Sequence, residues 1–134
     1  MSTLVTGTVQ SPSATAPLFK NSSGIEKGQL VKFWITFEGD SSGTNKTIND
    51  SFNVTTVTDN GTGDFTINFT NNFSNDDYCV IGGHVVWSNG RNSLRIRPDG
   101  GITTNQLSSS VRIQCSADGS VVDATRIYVA GFGN

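Results

Sequence analysis

An all-β fold, built as an antiparallel β-sandwich or small barrel behind an extended N-terminal arm, is what three features of the sequence predict. Charged residues make up only 15% of the chain and apolar residues 34%. Much of the remainder is Ser, Thr, Asn and Gly, which suit polar strand faces and tight turns and are weak helix formers. Several segments alternate apolar and polar residues with a period of two, the spacing of side chains on opposite faces of a strand. Turn-forming pairs such as Asn60-Gly61 and Asp118-Gly119 fall between those segments. With 134 residues there is room for one domain of ordinary size.

The division falls at about Gln29, with residues 1–28 as arm and 29–134 as sandwich. Leu4 to Gln10 has the makings of one short strand. Ser11 to Pro17 contains two prolines and reads as extended or irregular chain. Leu18 and Phe19 interrupt a polar stretch that ends at Asn21-Ser22-Ser23-Gly24. An arm with so little apolar content cannot fold alone, so it is expected to lie against its own sheet or a neighbouring subunit.

From Gln29 the alternation begins, with Val31, Phe33, Ile35 and Phe37 on one face and Lys32, Trp34 and Thr36 on the other. A loop at Asp40 to Asn45 leads to a strand expected around Ser51 to Thr58. Asp59 to Asp64 reads as the turn of a hairpin, followed by Phe65, Ile67 and Phe69 facing in and Thr66, Asn68 and Thr70 facing out. Tyr78 to Trp87 is apolar on both faces, the pattern of a central strand, and Gly82-Gly83 within it suggests a bulge or the close approach of another backbone. Turns at Ser88-Asn89-Gly90 and Pro98 to Gly101 flank a strand in which Leu94 and Ile96 face in and Arg95 and Arg97 face out. Val111, Ile113 and Cys115 face in from the next strand, with Arg112 and Gln114 facing out. The last strand, from Thr125 to Gly131, sets Ile127 and Val129 against Tyr128.

The functional classes narrow by charge and motif. A net charge of -2 provides no electrostatic footprint for nucleic acid or an anionic membrane. The opening residues carry neither the basic region nor the apolar run of a secretory leader, so synthesis in the cytosol of its cell is expected, with the Asn-x-Ser/Thr triplets unglycosylated. Cys79 and Cys115 are then expected as free thiols. No cofactor or zinc spacing is present. His84, mid-strand, reads as structural or interfacial. Asp59, Asp64, Asp76 and Asp77 carry oxygens suited to calcium, but hairpin and loop geometry already accounts for them. The chain is therefore expected not to be an enzyme.

Phe33-Trp34-Ile35-Thr36-Phe37-Glu38-Gly39, Ser51-Phe52-Asn53-Val54 and the run from Val57 to Phe69 together resemble a module widespread in bacteriophage virion genes, known from tail-fibre-like and small capsid-associated proteins. Phe33 stands where that family has Ala, and Phe65 where it has Tyr. Asn75 to Gly82, Ser110 to Ile113 and Tyr128 to Gly133 are similar to later elements of the family, so the resemblance runs from about Asn21 to the end. It implies a structural protein of the virion without catalytic residues. A capsid decoration (cement) protein, a homotrimer bound to the major capsid protein, is the first expectation. A tail-fibre or tail-tip component contacting tail proteins and the host surface is the alternative.

The residues singled out as interface candidates are Leu18, Phe19, Trp34, Trp87, Arg95, Arg97 and Arg112. Trp34 and Trp87 point away from the expected core, which suits a protein interface ahead of sugar stacking. The arginines read first as a solvated face that blunts edge pairing and second as a contact to an acidic partner.

Overall fold

The alternation in the sequence is realised as two antiparallel sheets packed face to face, seen in a computed structural model that describes residues 19–20, 22–24, 26–28, 30–86, 91–97 and 105–133. The strands in chain order are β1 (Phe19–Lys20), β2 (Glu26–Gly28), β3 (Phe33–Glu38), β4 (Thr47–Phe52), β5 (Val54–Gly61), β6 (Asp64–Phe69), β7 (Cys79–Val85), β8 (Asn92–Ile96), β9 (Gln106–Leu107), β10 (Ser110–Ala117), β11 (Ser120–Val121) and β12 (Arg126–Phe132). Sheet one has the order β4-β3-β12-β7. Sheet two has β10 at its centre: β6 and then β5 lie along one side, with β11 continuing that side, while β8 and β9 pair with the other. The sheets do not close into a barrel, so the sandwich is the form adopted.

Inward side chains from both sheets make the core. Phe33, Ile35 and Phe37 of β3 and Ile127 and Val129 of β12 meet Val57 of β5, Phe65, Ile67 and Phe69 of β6 and Val111, Ile113 and Cys115 of β10. Burying one such side chain contributes about 1.5–3 kcal/mol relative to leaving it exposed. At one end Phe33, Phe69, Phe73 and Tyr78 form an aromatic cluster, with Phe73 and Tyr78 stacked at 4.0 Å between ring centroids. The Tyr78 hydroxyl lies 2.9 Å from both the Leu107 and Ser110 carbonyls, which anchors the β9–β10 turn.

The expected strand from Ser51 to Thr58 is two strands in different sheets. Asn53 separates them with φ 60°, a left-handed conformation that Asn tolerates better than most residues. Its amide donates to the carbonyls of Lys32 at 3.0 Å and Asn71 at 2.9 Å, and its Oδ1 accepts from the Asn71 backbone N–H at 2.7 Å. The crossing between sheets is thus held by one side chain, which alternation alone does not reveal.

The β5–β6 hairpin forms as predicted, but its turn is tighter. Strand pairing continues to Gly61↔Asp64, and the positive φ values fall on Gly61 and Gly63 rather than on Asn60. Gly63 is required for a second reason: a Cβ there would lie 2.7 Å from the Cys115 carbonyl oxygen.

The strand read as central is instead an edge. Among the described residues β7 pairs with β12 alone, in unbroken register from Arg126↔Val85 to Phe132↔Cys79. It is apolar on both faces because the outer face of its sheet is itself apolar. No bulge interrupts it at Gly82-Gly83, but the close backbone approach is real, since a Cβ on Gly82 would lie 2.5 Å from the Tyr128 carbonyl oxygen.

Within the expected arm, β1 and β2 pair as a short hairpin across a turn at Ser22 to Gly24. The strand expected at Leu4 to Gln10, the irregular stretch at Ser11 to Pro17, and the turns at Ser88 to Gly90 and Pro98 to Gly101 lie outside the described residues. Cys79 is exposed on β7 and Cys115 buried on β10, both as free thiols. Burial pushes the Cys115 thiol up to about 12, with Asp123 adding to the shift.

Candidate interaction face

The two outer faces of the sandwich differ in chemistry, and the difference follows from which residues alternate with the core positions. On sheet one, cross-strand pairing sets Phe52, Trp34, Ala130 and Ile81 in one row. The adjacent row is Asp50, Thr36, Tyr128 and Gly83. Phe132 beside Cys79 and Arg126 beside Val85 extend the face in the two directions. Phe52 is 52% exposed, Ile81 55%, Val85 50%, Tyr128 48%, and Trp34 and Phe132 37% each. An apolar patch this continuous is unusual on a surface that meets only water.

Trp34 and Tyr128 are diagonal neighbours across β3 and β12, because Trp34 pairs with Ala130 and Thr36 with Tyr128. Between and around them lies a shallow groove of about 730 Å³ lined by Trp34, Thr36, Asp50, Ile81, Gly83 and Tyr128 among others. Its floor is flat because Ala130 and Gly83 carry little or no side chain there, and the space above Gly83 is open. Asp50 supplies the groove's carboxylate, and Glu38 and Arg126, 3.6 Å apart, mark a charged end of the face. An apolar centre with charge at its margin is the anatomy of a protein contact surface.

The outer face of sheet two is polar and internally satisfied. Asp64, 2% exposed, receives Arg112 in a bidentate grip, Nε to Oδ1 at 2.8 Å and Nη2 to Oδ2 at 2.7 Å, and Arg97 also reaches its Oδ2. Arg95 donates to the Gln114 side-chain oxygen through Nε at 3.1 Å and Nη2 at 2.6 Å. Along β5 and β6, Asn68 donates to the hydroxyls of Thr56 at 3.0 Å and Thr58 at 3.2 Å. The first reading of these arginines, a solvated face, therefore gives way to an internal network for Arg97 and Arg112. Bidentate arginine–carboxylate pairs of this kind fix geometry as well as charge.

Lys46 and Asp59 are similarly committed. Lys46, nearly buried, bridges the Ser41 carbonyl at 2.7 Å and Asp59 at 2.8 Å. Its hydrogen bond to Asp59, reinforced by the Gly61 backbone, holds that carboxyl below the usual range. His84 turns into the sandwich at 8% exposure, and neither imidazole nitrogen has a hydrogen-bond partner. Burial holds its pKa below the ordinary value, and the nearby Ser116 backbone offsets part of that effect.

Of the seven interface candidates, Trp34 stands at the centre of the apolar face. Arg95, Arg97 and Arg112 lie on the opposite side of the sandwich and form no common surface with it. Leu18 and Trp87 lie outside the described residues, and Phe19 is placed only as part of β1. Phe52, Ile81, Val85, Tyr128 and Phe132 were not singled out from sequence. The usable signal was there in β7, whose second apolar face belongs to the surface and not to a second core.

No protein-family model matches the chain, and no curated protein matches it. Among solved structures it is similar in fold to the phiAB6 tailspike, whose crystal structure is in complex with three-repeated oligosaccharides of Acinetobacter baumannii surface polysaccharide. The TM-score is 0.51 at 13% identity, and the likeness covers 98% of this chain and 30% of the tailspike. The chain thus spans about a third of that protein's length and shares its β architecture over that part.

Proposed function

We propose that this chain is a non-enzymatic structural β-sandwich of a bacteriophage virion, carried on the tail, and that the outer face of sheet one seats it against protein neighbours there. The observation that carries the reading is the continuous apolar face around Trp34, Phe52, Ile81 and Tyr128. A domain that exposes such a face is completed by assembly. The phage context is supported by the resemblance of the β3 to β6 region to virion modules and by the fold likeness to a tailspike.

Tail is preferred to capsid because the fold likeness is to a tail protein, whereas capsid decoration gains nothing from the fold. Protein contact is preferred to sugar stacking because the groove lining is largely apolar, with Asp50 and Thr36 as its side-chain hydrogen-bonding groups besides Trp34 and Tyr128. The non-enzymatic reading is supported by the commitment of Asp59 and Asp64 to cations and by the inward burial of His84.

Electron microscopy of intact particles labelled with an antibody to this chain tests the proposal. Label on the tail is the expected result, and label spread over the capsid would overturn it. In the same particles Trp34→Ala with Tyr128→Ala should reduce incorporation while leaving the isolated domain folded. Turnover of host polysaccharide by the purified chain would remove the non-enzymatic reading.

A further inference from the structure

Among the described residues the sandwich has four lateral edges, and three of them carry a device against strand addition. At β5 the free side is occupied by the Thr44–Lys46 segment, through the Asn45↔Thr58 bridge and the bonds Lys46 N–H to Val57 carbonyl at 2.9 Å and Asp59 N–H to Thr44 carbonyl at 2.7 Å. Edge strand β4 carries Asp50, and its pairing with β3 shifts register between Thr36 and Phe37. Strand β8 carries Arg95 as the fourth of its five residues. Charges and irregularities of these kinds are how sheet edges avoid pairing with other chains.

Strand β7 has none of them. Cys79-Val80-Ile81-Gly82-Gly83-His84-Val85 contains no Lys, Arg, Asp, Glu or Pro, keeps one register along all seven residues, and turns its His84 side chain inward. Pairing with β12 satisfies one side of it, and among the described residues no strand pairs with the other, which leaves alternate backbone N–H and C=O groups there without a ladder partner. Self-pairing at β4 would bring Asp50 towards its own copy, and at β8 Arg95 towards its own. At β7 no like charges meet.

We infer that β7 is a homotypic docking edge, on which a second copy of this chain adds its own β7 antiparallel, joining two four-stranded sheets into one continuous sheet. The side chains suit a two-fold axis at Gly82. That register sets Ile81 beside Gly83 of the other copy on the outer face, and Gly83 has nothing within 4 Å of where its Cβ would be. Each Ile81, 55% exposed in the single chain, fills the space over the other copy's glycine. Cys79 falls opposite Val85, both exposed on the outer face. The join also makes the two apolar faces continuous, so the edge supplies the order of assembly and the face its contact with other proteins. Two-fold pairing is an alternative to the threefold assembly expected from sequence, and it is independent of a place on the virion.

Sedimentation equilibrium of the full chain under reducing conditions tests the edge. Twice the chain mass at high protein concentration is expected. Ile81→Lys, at an exposed position, should return the mass to that of one chain with its circular dichroism spectrum unchanged, while Phe52→Lys, on the same face but away from β7, should leave the pair intact. In a separate arm, Val85→Cys should form a covalent dimer through Cys79 on mild oxidation, since the predicted register brings those positions together. A single-chain mass at every concentration, a trimer, a dimer indifferent to Ile81→Lys, or no Cys79-linked dimer would each overturn the proposal.

Discussion

Arg112 holds Asp64 across 48 residues of chain by two parallel hydrogen bonds, at 2.8 and 2.7 Å, and the carboxylate beneath is almost completely removed from solvent. The pairing of β6 with β10 makes them diagonal neighbours on one face, two positions out of direct register, Asp64 against Gln114 and Arg112 against Thr66. The contact therefore pins the register of the two central strands of sheet two. Replacing Asp64 by Ala leaves two guanidinium groups facing each other over an emptied site. A loss of about 2–4 kcal/mol is expected in urea unfolding, near the lower end of values for broken buried pairs because both arginines keep some access to water. Asp64→Asn should lose less, since it retains an acceptor and nearly the same volume.

Asn53 makes the change of sheet. Asn53→Ala keeps a left-handed backbone with a residue that disfavours it and removes the bonds to Lys32 and Asn71. The expected cost is about 2–3 kcal/mol. Asn53→Gly relieves the backbone term and should cost about 1 kcal/mol, so the difference between the two variants in urea unfolding separates strain from hydrogen bonding.

His84 sets a pH dependence of known sign. Its folded pKa is lowered from 6.5 chiefly by burial, so the unfolded chain binds the proton more readily. Stability is complete above the unfolded value and falls as pH drops through it, levelling below the folded value. The melting temperature should therefore decline as the pH drops below 6.5, and His84→Met should flatten that decline. Asp59 acts in a separate window: its pKa is lowered from 3.8 by Lys46, so its contribution is present above that value and lost on further acidification.

Gly131 lies against the Phe33 ring, where a Cβ would overlap ring carbons. Gly131→Ala is expected to cost about 1–3 kcal/mol in thermal or urea unfolding as the aromatic cluster shifts to admit the methyl group. Gly83→Ala, with open space above it, should leave the stability of the single chain within about 0.5 kcal/mol of the parent.

Much of the sandwich was legible in the chain because strand alternation is a local property. Phe33, Ile35 and Phe37, then Phe65, Ile67 and Phe69, then Val111, Ile113 and Cys115 all face the core as their spacing requires, since neighbouring side chains on a strand must point opposite ways. Trp34 was legible as an exposed aromatic for the same reason. Its companions Phe52, Ile81 and Tyr128 come from three other strands, and their convergence depends on sheet order, which no local period encodes. Sheet order also made β7 an edge in place of a centre, because a strand that is apolar on both faces looks the same whether its second face meets a core or an exposed patch. The arginines show the reverse case: their outward direction was set by alternation, but the buried carboxylate beneath them came from a strand 48 residues away for Arg112. Composition and period thus determined that the chain is β and which residues enter its core, while the pairing of distant strands decided which surface is apolar, which strand ends the sheet order among the described residues and which charges are already satisfied.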